Sequence, residues 1–161
     1  MIIVRQPMPI DTPEMASLLN DIIKEGGTTA RTNPVTAKDM TTEIARKSDL
    51  SVWHVAFDAR GALVGFQSVT PEDYLPPDAV DISTFVRVGR TGLGIGSALF
   101  EATRKAAKAL GYSWINANIR ADNEGGLIYY QSRGFEDYDV IRGYKMENGQ
   151  IVDKRLKRFD L

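Results

Sequence analysis

Gly92, Gly94 and Gly96 crowd into five positions directly ahead of a helix-forming run, in the segment RTGLGIGSALFEAT at residues 90–103. That spacing has a chemical use. The first backbone N–H groups of a helix have no partner inside it, and they sit at the positive end of the helix dipole. Glycine, lacking a Cβ, lets an anion reach them. Gly92, Leu93, Gly94, Ile95, Gly96 and Ser97 therefore form a candidate phosphate cradle, although three glycines also suit a plain tight turn. Two phosphate loops fail to match. A P-loop ends in Gly-Lys-Ser/Thr, whereas Gly96-Ser97-Ala98 has no lysine. A dinucleotide fingerprint needs G-x-G-x-x-G and an acid closing the next strand; here the spacing is G-x-G-x-G and the next strand closes on Ile119-Arg120.

Other chemistries are excluded by what is missing. The chain has no cysteine, so disulfides, thiolate zinc sites and cysteine nucleophiles are ruled out. The single histidine, His54, lies inside SVWHVAF and reads as structural; one histidine cannot build a multi-histidine metal site. Twenty basic against 21 acidic residues give a net charge of −1, without the basic excess of a nucleic-acid binder. The bases Lys154, Arg155, Lys157 and Arg158 read as an exposed strand face. No apolar run approaches the ~18 residues of a membrane span, and the opening MIIVRQPMPID lacks a signal-peptide layout. A soluble cytoplasmic enzyme or binding module is the expectation.

The elements that must position the loop follow from periodicity. A strand is predicted over residues 1–6. A helix follows over 11–27, with Pro13 in its first turn and Gly26-Gly27 at its end. A second helix spans 35–48, with Thr36 and Asp39 in capping-box spacing. Two strands, 51–57 and 62–69, form a hairpin around DARG. The proline-stiffened loop 70–79 leads to a strand over 80–88. After the glycines, Ile95, Ala98, Leu99, Ala102, Ala106 and Leu110 recur at helical steps. A strand (112–119), a short helix (122–133) and a final hairpin (134–146 and 150–161) complete the chain. The order β-α-α-β-β-β-α-β-α-β-β predicts one α/β domain over residues 1–161. Its sheet is seven-stranded, mixed and largely antiparallel, with a central parallel β-α-β crossover and helices on both faces.

The segment FVRVGRTGLGIGSALF resembles the acyl-CoA-binding motif of the GNAT family of N-acetyltransferases: a strand valine, then Arg/Gln-x-x-Gly-x-Gly/Ala, then a helix. Val86 falls on the valine and Gly94-Ile95-Gly96 on the Gly-x-Gly. Thr91 stands where the family has Arg or Gln, with Arg90 one residue early. Downstream, ADNEGGLIYYQSRGF resembles the family's Asn-x-x-Ala/Ser…Tyr-x-Lys-x-Gly-Phe segment, through Asn123, Tyr130 and Gly134-Phe135. Gly126 replaces the small residue and Ser132 the lysine. The last third of the chain loosely resembles the phosphinothricin and small-amine branch.

The resemblance implies an acetyl-CoA-dependent N-acetyltransferase without a metal. It implies that Phe85, Val86, Arg87 and Val88 splay from the neighbouring strand and pair with the pantetheine arm, and that Thr91 through Ser97 and Asn123 contact the cofactor. Tyr130, a phenol protonated at neutral pH, becomes the acid for the departing thiolate. Asp81 becomes the base, with Glu72 and Asp73 as alternatives through a water. Arg31 and Glu72 are substrate-side expectations, Arg31 as a holder of a substrate carboxylate through its planar fork of donors. The expected acceptor is the primary amine of a small molecule, an amino acid, amino-acid analogue or similar, attacked directly in a ternary complex, by a chain that the resemblance suggests is a homodimer. A protein N-terminal or lysine acetyltransferase and a non-catalytic acyl-CoA sensor are the alternatives.

Overall fold

The computed structural model describes residues 1–161. Seven strands, β1 (Ile3–Arg5), β2 (Val52–Phe57), β3 (Leu63–Thr70), β4 (Ala79–Val86), β5 (Trp114–Arg120), β6 (Glu136–Lys145) and β7 (Ile151–Asp160), make one sheet. Their order is β1-β2-β3-β4-β5-β7-β6. Only β4 and β5 run parallel; they are joined by α3 (Ile95–Ala109). The remaining helices are α1 (Thr12–Glu25), α2 (Ala37–Ala45) and α4 (Glu124–Ser132).

The period-two alternation of the strands sends apolar side chains to both faces. Val55, Leu63 and Phe66 meet Met15, Leu18, Leu19 and Met40 of α1 and α2. Val80, Ile82, Ile115, Ala117 and Ile119 meet Phe100 of α3 and Tyr130 of α4 on the other side. Ala56 and Val64 close under Ile95 and Leu99. Each large side chain so buried contributes about 1.5–3 kcal/mol. α1 ends where Gly26 turns out of the helix at φ 76°, its N–H still bonded to the Ile22 carbonyl. α2 carries the expected capping box: Thr36 accepts from the Asp39 N–H and Asp39 accepts from the Thr36 N–H.

The feature that makes a site is a divergence in mid-sheet. β4 and β5 pair only from Ala79–Ile82 to Trp114–Ala117. β4 then continues to Val86 on the β3 side alone, and β5 continues to Arg120 on the β7 side alone. Ser83–Val86 and Asn118–Arg120 thus bound a V-shaped gap open at its wide end. Two expectations are corrected here. The strand predicted over 80–88 stops at Val86, because the chain turns at Val88-Gly89, with Gly89 at φ 84° and the Arg90 N–H bonded to the Arg87 carbonyl. The basic run near the C-terminus is not a uniformly exposed face: Lys154 and Lys157 are 8% and 3% exposed, since β7 is an interior strand between β5 and β6.

Candidate active site

A cleft of about 720 Å³ fills the gap between β4 and β5. It runs from the loop ahead of α3 to the sheet face beneath the α1–α2 connection, and its walls include Thr84, Gly92, Asn118, Tyr130 and Lys154. At its upper end the three glycines do different jobs. Gly92 (φ 79°) and Gly94 (φ 82°) are left-handed, a backbone shape that side chains disfavour. Gly96 is helical, but a Cβ there would lie 2.7 Å from Cε1 of the Tyr129 ring. The first turn of α3 has no side-chain cap. In contrast, Asn123 caps α4 by accepting from the Gly126 N–H at 3.0 Å. The uncapped amides of α3 are therefore the ones left to bind an anion. Arg133 reaches the same turn, donating to Ser97 Oγ at 2.7 Å.

Below the cradle lies a chain of hydroxyls fed from a buried amide. Gln67, fully buried on β3, donates through Nε2 to Thr84 Oγ1 (2.8 Å) and Tyr129 Oη (3.1 Å). Tyr129 in turn donates to the Gly96 carbonyl at 2.7 Å. Thr84 Oγ1 lies 2.8 Å from Tyr130 Oη. Because Thr84 already accepts from Gln67, its own proton is free to go to Tyr130, which leaves the Tyr130 proton for the cleft. Burial holds the Tyr130 phenol above its ordinary value, so it stays protonated at neutral pH.

The lower end is built from side chains. Asp81 Oδ1 accepts from Asn116 Nδ2 (2.9 Å) and from Tyr74 Oη (3.0 Å). Tyr138 donates to Asn116 Oδ1 and so fixes which way that amide faces. Neither donor reaches Oδ2 of Asp81. Burial pushes this carboxyl up to about 7, against the two hydrogen bonds that favour its ionised form. Asp81 therefore changes charge near neutrality, as a proton acceptor for an amine must.

The model of the acetyltransferase (GNAT) family matches residues 17–135. The chain belongs to that family. The phosphinothricin N-acetyltransferase of Streptomyces viridochromogenes is 24% identical over 164 residues, covering 98% of this chain and 88% of that one. Among solved structures, a GNAT superfamily phosphinothricin acetyltransferase from Sinorhizobium meliloti, in complex with AcCoA, superposes with a TM-score of 0.89 at 20% identity, covering 99% of this chain and 88% of that one. The ribosomal-protein-alanine N-acetyltransferase of Brucella melitensis gives 0.89 at 20% identity, covering 99% of both chains. The fold is thus the GNAT fold.

In this GNAT chain the cleft gathers Asp81, Phe85, Val86, Val88, Thr91, Gly92, Ile95, Gly96, Asn123 and Tyr130 from the residues expected. Others lie elsewhere. Arg87 turns away and donates through Nε and Nη2 to the Leu63 carbonyl. Glu72 stands outside the cleft, held by Arg46 (3.1 Å) and Thr70 (3.2 Å). Arg31 reaches the rim, but Glu43 fills its fork at 3.0 and 2.5 Å. The Asn123 amide is spent on capping α4 and on donating to the Thr28 carbonyl (3.1 Å). His54 is half-buried on β2, away from the cleft, where burial lowers its pKa. Sequence reasoning missed Gln67, Asn116, Asn118 and Lys154. Gln67 had a signal: a polar amide within the apolar strand LVGFQSV.

Proposed function

We propose that this chain is an acetyl-CoA-dependent N-acetyltransferase acting on a small primary amine by direct attack in a ternary complex. One observation carries the reading: a single cleft connects the uncapped start of α3 to the Asp81 carboxyl, with the Tyr130 hydroxyl on its wall. In this reading the amides from Gly92 to Ser97 hold the donor's diphosphate, with Arg90 and Arg133 beside them. The open edge of Ser83–Val86 pairs with the acyl arm, and an N–H there polarises the thioester carbonyl, worth about 10²–10³ in rate. Asp81 takes a proton from the incoming ammonium. As the C–N bond forms and the C–S bond breaks, Tyr130 supplies the proton the sulfur leaves with, and the second proton lost by the acylated nitrogen restores the Tyr130 phenol.

The homodimer is part of the proposal, on the outer edge of β6, which has β7 on one side and no strand on the other; light scattering tests it. The enzyme reading is tested by thiol release from acetyl-CoA with a panel of small amines and N-terminal peptides. Turnover of small amines is the expected result. Acetylation confined to peptides would make it a protein modifier, and donor binding without turnover would make it a sensor.

A further inference from the structure

Gln67 is fully buried on β3 and faces Thr84 across the β3–β4 ladder. Its Nε2 serves two hydroxyls, Thr84 Oγ1 at 2.8 Å and Tyr129 Oη at 3.1 Å, while its Oε1 is buried without a donor. An orphaned amide oxygen costs about 1–3 kcal/mol, and turning the amide over would offer that oxygen to both hydroxyls. Tyr129 prevents the turn. A phenol has one proton, and Tyr129 gives its own to the Gly96 carbonyl at 2.7 Å. Tyr129 can then only accept from Gln67, so the amide must present its NH2 group. The Gly96 carbonyl belongs to the first turn of α3. The Tyr129 ring is packed against that turn, so closely that a Cβ on Gly96 would lie 2.7 Å from Cε1. The direction set there passes on to Thr84. With Gln67 donating to it, the Thr84 hydroxyl has one acceptor for its proton, Tyr130 Oη at 2.8 Å.

We infer that Tyr129 and Gln67 are positioning residues for the acid step: anchored on the Gly96 carbonyl, they fix the direction of the hydrogen bonds that leave the Tyr130 proton facing the cleft. The inference rests on the proposed function and deepens it, since it assigns a part in the reaction to two residues that exchange no proton with donor or acceptor. The same side chains have a second arrangement open to them. With the amide turned over, Tyr129 and Thr84 donate to Gln67 Oε1, and Tyr130 donates to Thr84. The acid then points away from the departing thiolate. Members of such a buried chain polarise one another, so the whole chain takes one direction or the other. The bond from Tyr129 to α3 selects the direction that serves the reaction, and the orphaned Oε1 of Gln67 is the mark it leaves on the fold.

The test measures kcat, KM for acetyl-CoA and for the amine, and Tm for Gln67→Met and Tyr129→Phe, each made in the wild type and in Tyr130→Phe. Gln67→Met keeps the buried volume and removes the donor and the orphaned oxygen together. Its kcat is expected to fall about tenfold with both KM values within about twofold, while Tm holds or rises. Tyr129→Phe frees the amide to turn, and a similar loss in kcat is expected. In Tyr130→Phe, neither substitution is expected to lower kcat further by more than about twofold, because both act through the Tyr130 hydroxyl. A folded Gln67→Met or Tyr129→Phe protein with wild-type kcat overturns the inference and leaves the proposed function standing. So does a loss in kcat that persists in full without the Tyr130 hydroxyl, since a merely structural role would act in either background. A wild-type protein that acetylates no amine overturns the proposed function itself, and the inference with it. Should one of the two variants not fold, the other decides.

Discussion

The two ends of the cleft are made by different means. The upper end is made of backbone: Gly92 in the turn and Ile95 and Gly96 in the uncapped first turn of α3 border the cleft. The lower end gathers side chains from Tyr74 to Lys154: Asp81 on β4, Asn116 and Asn118 on β5, Tyr138 on β6 and Lys154 on β7. A backbone-made site needs only a turn and a helix start, so it depends little on side chains such as Thr91, which stands where the resembled motif has Arg or Gln, and Ser132, which stands where it has lysine. A side-chain-made site depends on strand register. Slipping β7 by one residue against β5 would turn Lys154 away from the cleft and bring in a neighbour. In the proposed function, the upper end is the part that holds the donor and the lower end the part that selects the acceptor.

The sharpest way to separate the two ends is Asp81→Asn. Turnover is expected to fall by about 10²–10⁴-fold, with coenzyme A affinity unchanged by calorimetry. In the wild type, kcat/KM should rise with pH and level off above about 7, as the raised Asp81 carboxyl ionises; the variant should lack that limb. Stability should move the opposite way. The folded-state pKa lies above the unfolded one, so ionising Asp81 costs the fold increasing stability as pH rises from about 4 to about 7. Asp81→Asn should therefore melt higher than the wild type above pH 7, with the gap closing in acid. Weakened donor binding in the variant would break the division between the two ends.

Next in size is the hydroxyl chain that links them. Tyr130→Phe is expected to lower kcat by about 10²-fold. Thr84→Val keeps Tyr130 but removes the group that directs its proton, and it leaves Gln67 Nε2 with Tyr129 alone. A smaller loss in kcat, about tenfold, with KM for the donor unchanged, is expected. An unchanged kcat in Thr84→Val would show that Tyr130 orients without the chain.

The same division decides what could be read in the sequence. The order of all eleven helices and strands was legible, because amphipathic periods and Gly/Pro stops are local. So were the glycine turn ahead of α3 and the place of Tyr130 on α4, which sit in short motifs. Arg31 was misjudged because its partner Glu43 arrives only when α2 packs. Lys154 was misjudged because a run of five basic and apolar residues looks solvated. The corrective signal was present in its period-two companions: Val152, Lys154 and Leu156 share the buried face of β7. Asn118 gave no signal, since its place on the cleft wall needs β4 and β5 to part at Ile82 and Ala117.

Gly96→Ala probes the upper end with a smaller effect. The new methyl would lie 2.7 Å from Tyr129 Cε1 and 3.3 Å from its hydroxyl. The Tyr129 ring must move and release its bond to the Gly96 carbonyl, costing about 1–3 kcal/mol of stability, readable as a lower Tm. KM for acetyl-CoA is expected to rise by several-fold and KM for the amine to stay put. A change confined to the amine would mean that the ends are coupled through Tyr129, and the comparison would fail.

Glu72→Gln is the mildest change and the most discriminating about the lower end. Glu72 stands outside the cleft, tied to Arg46 and Thr70, so removing its charge should alter the plateau kcat by less than about twofold. Its negative charge nonetheless helps raise the Asp81 carboxyl, while the Lys154 ammonium acts in the opposite sense. Neutralising Glu72 should therefore move the rising limb of the pH–rate profile to lower pH, and Lys154→Gln should move it to higher pH. Two surface-to-floor charges that shift one titration in opposite directions would identify Asp81 as the titrating group. Shifts of the same sign, or none, would assign the limb to the amine itself.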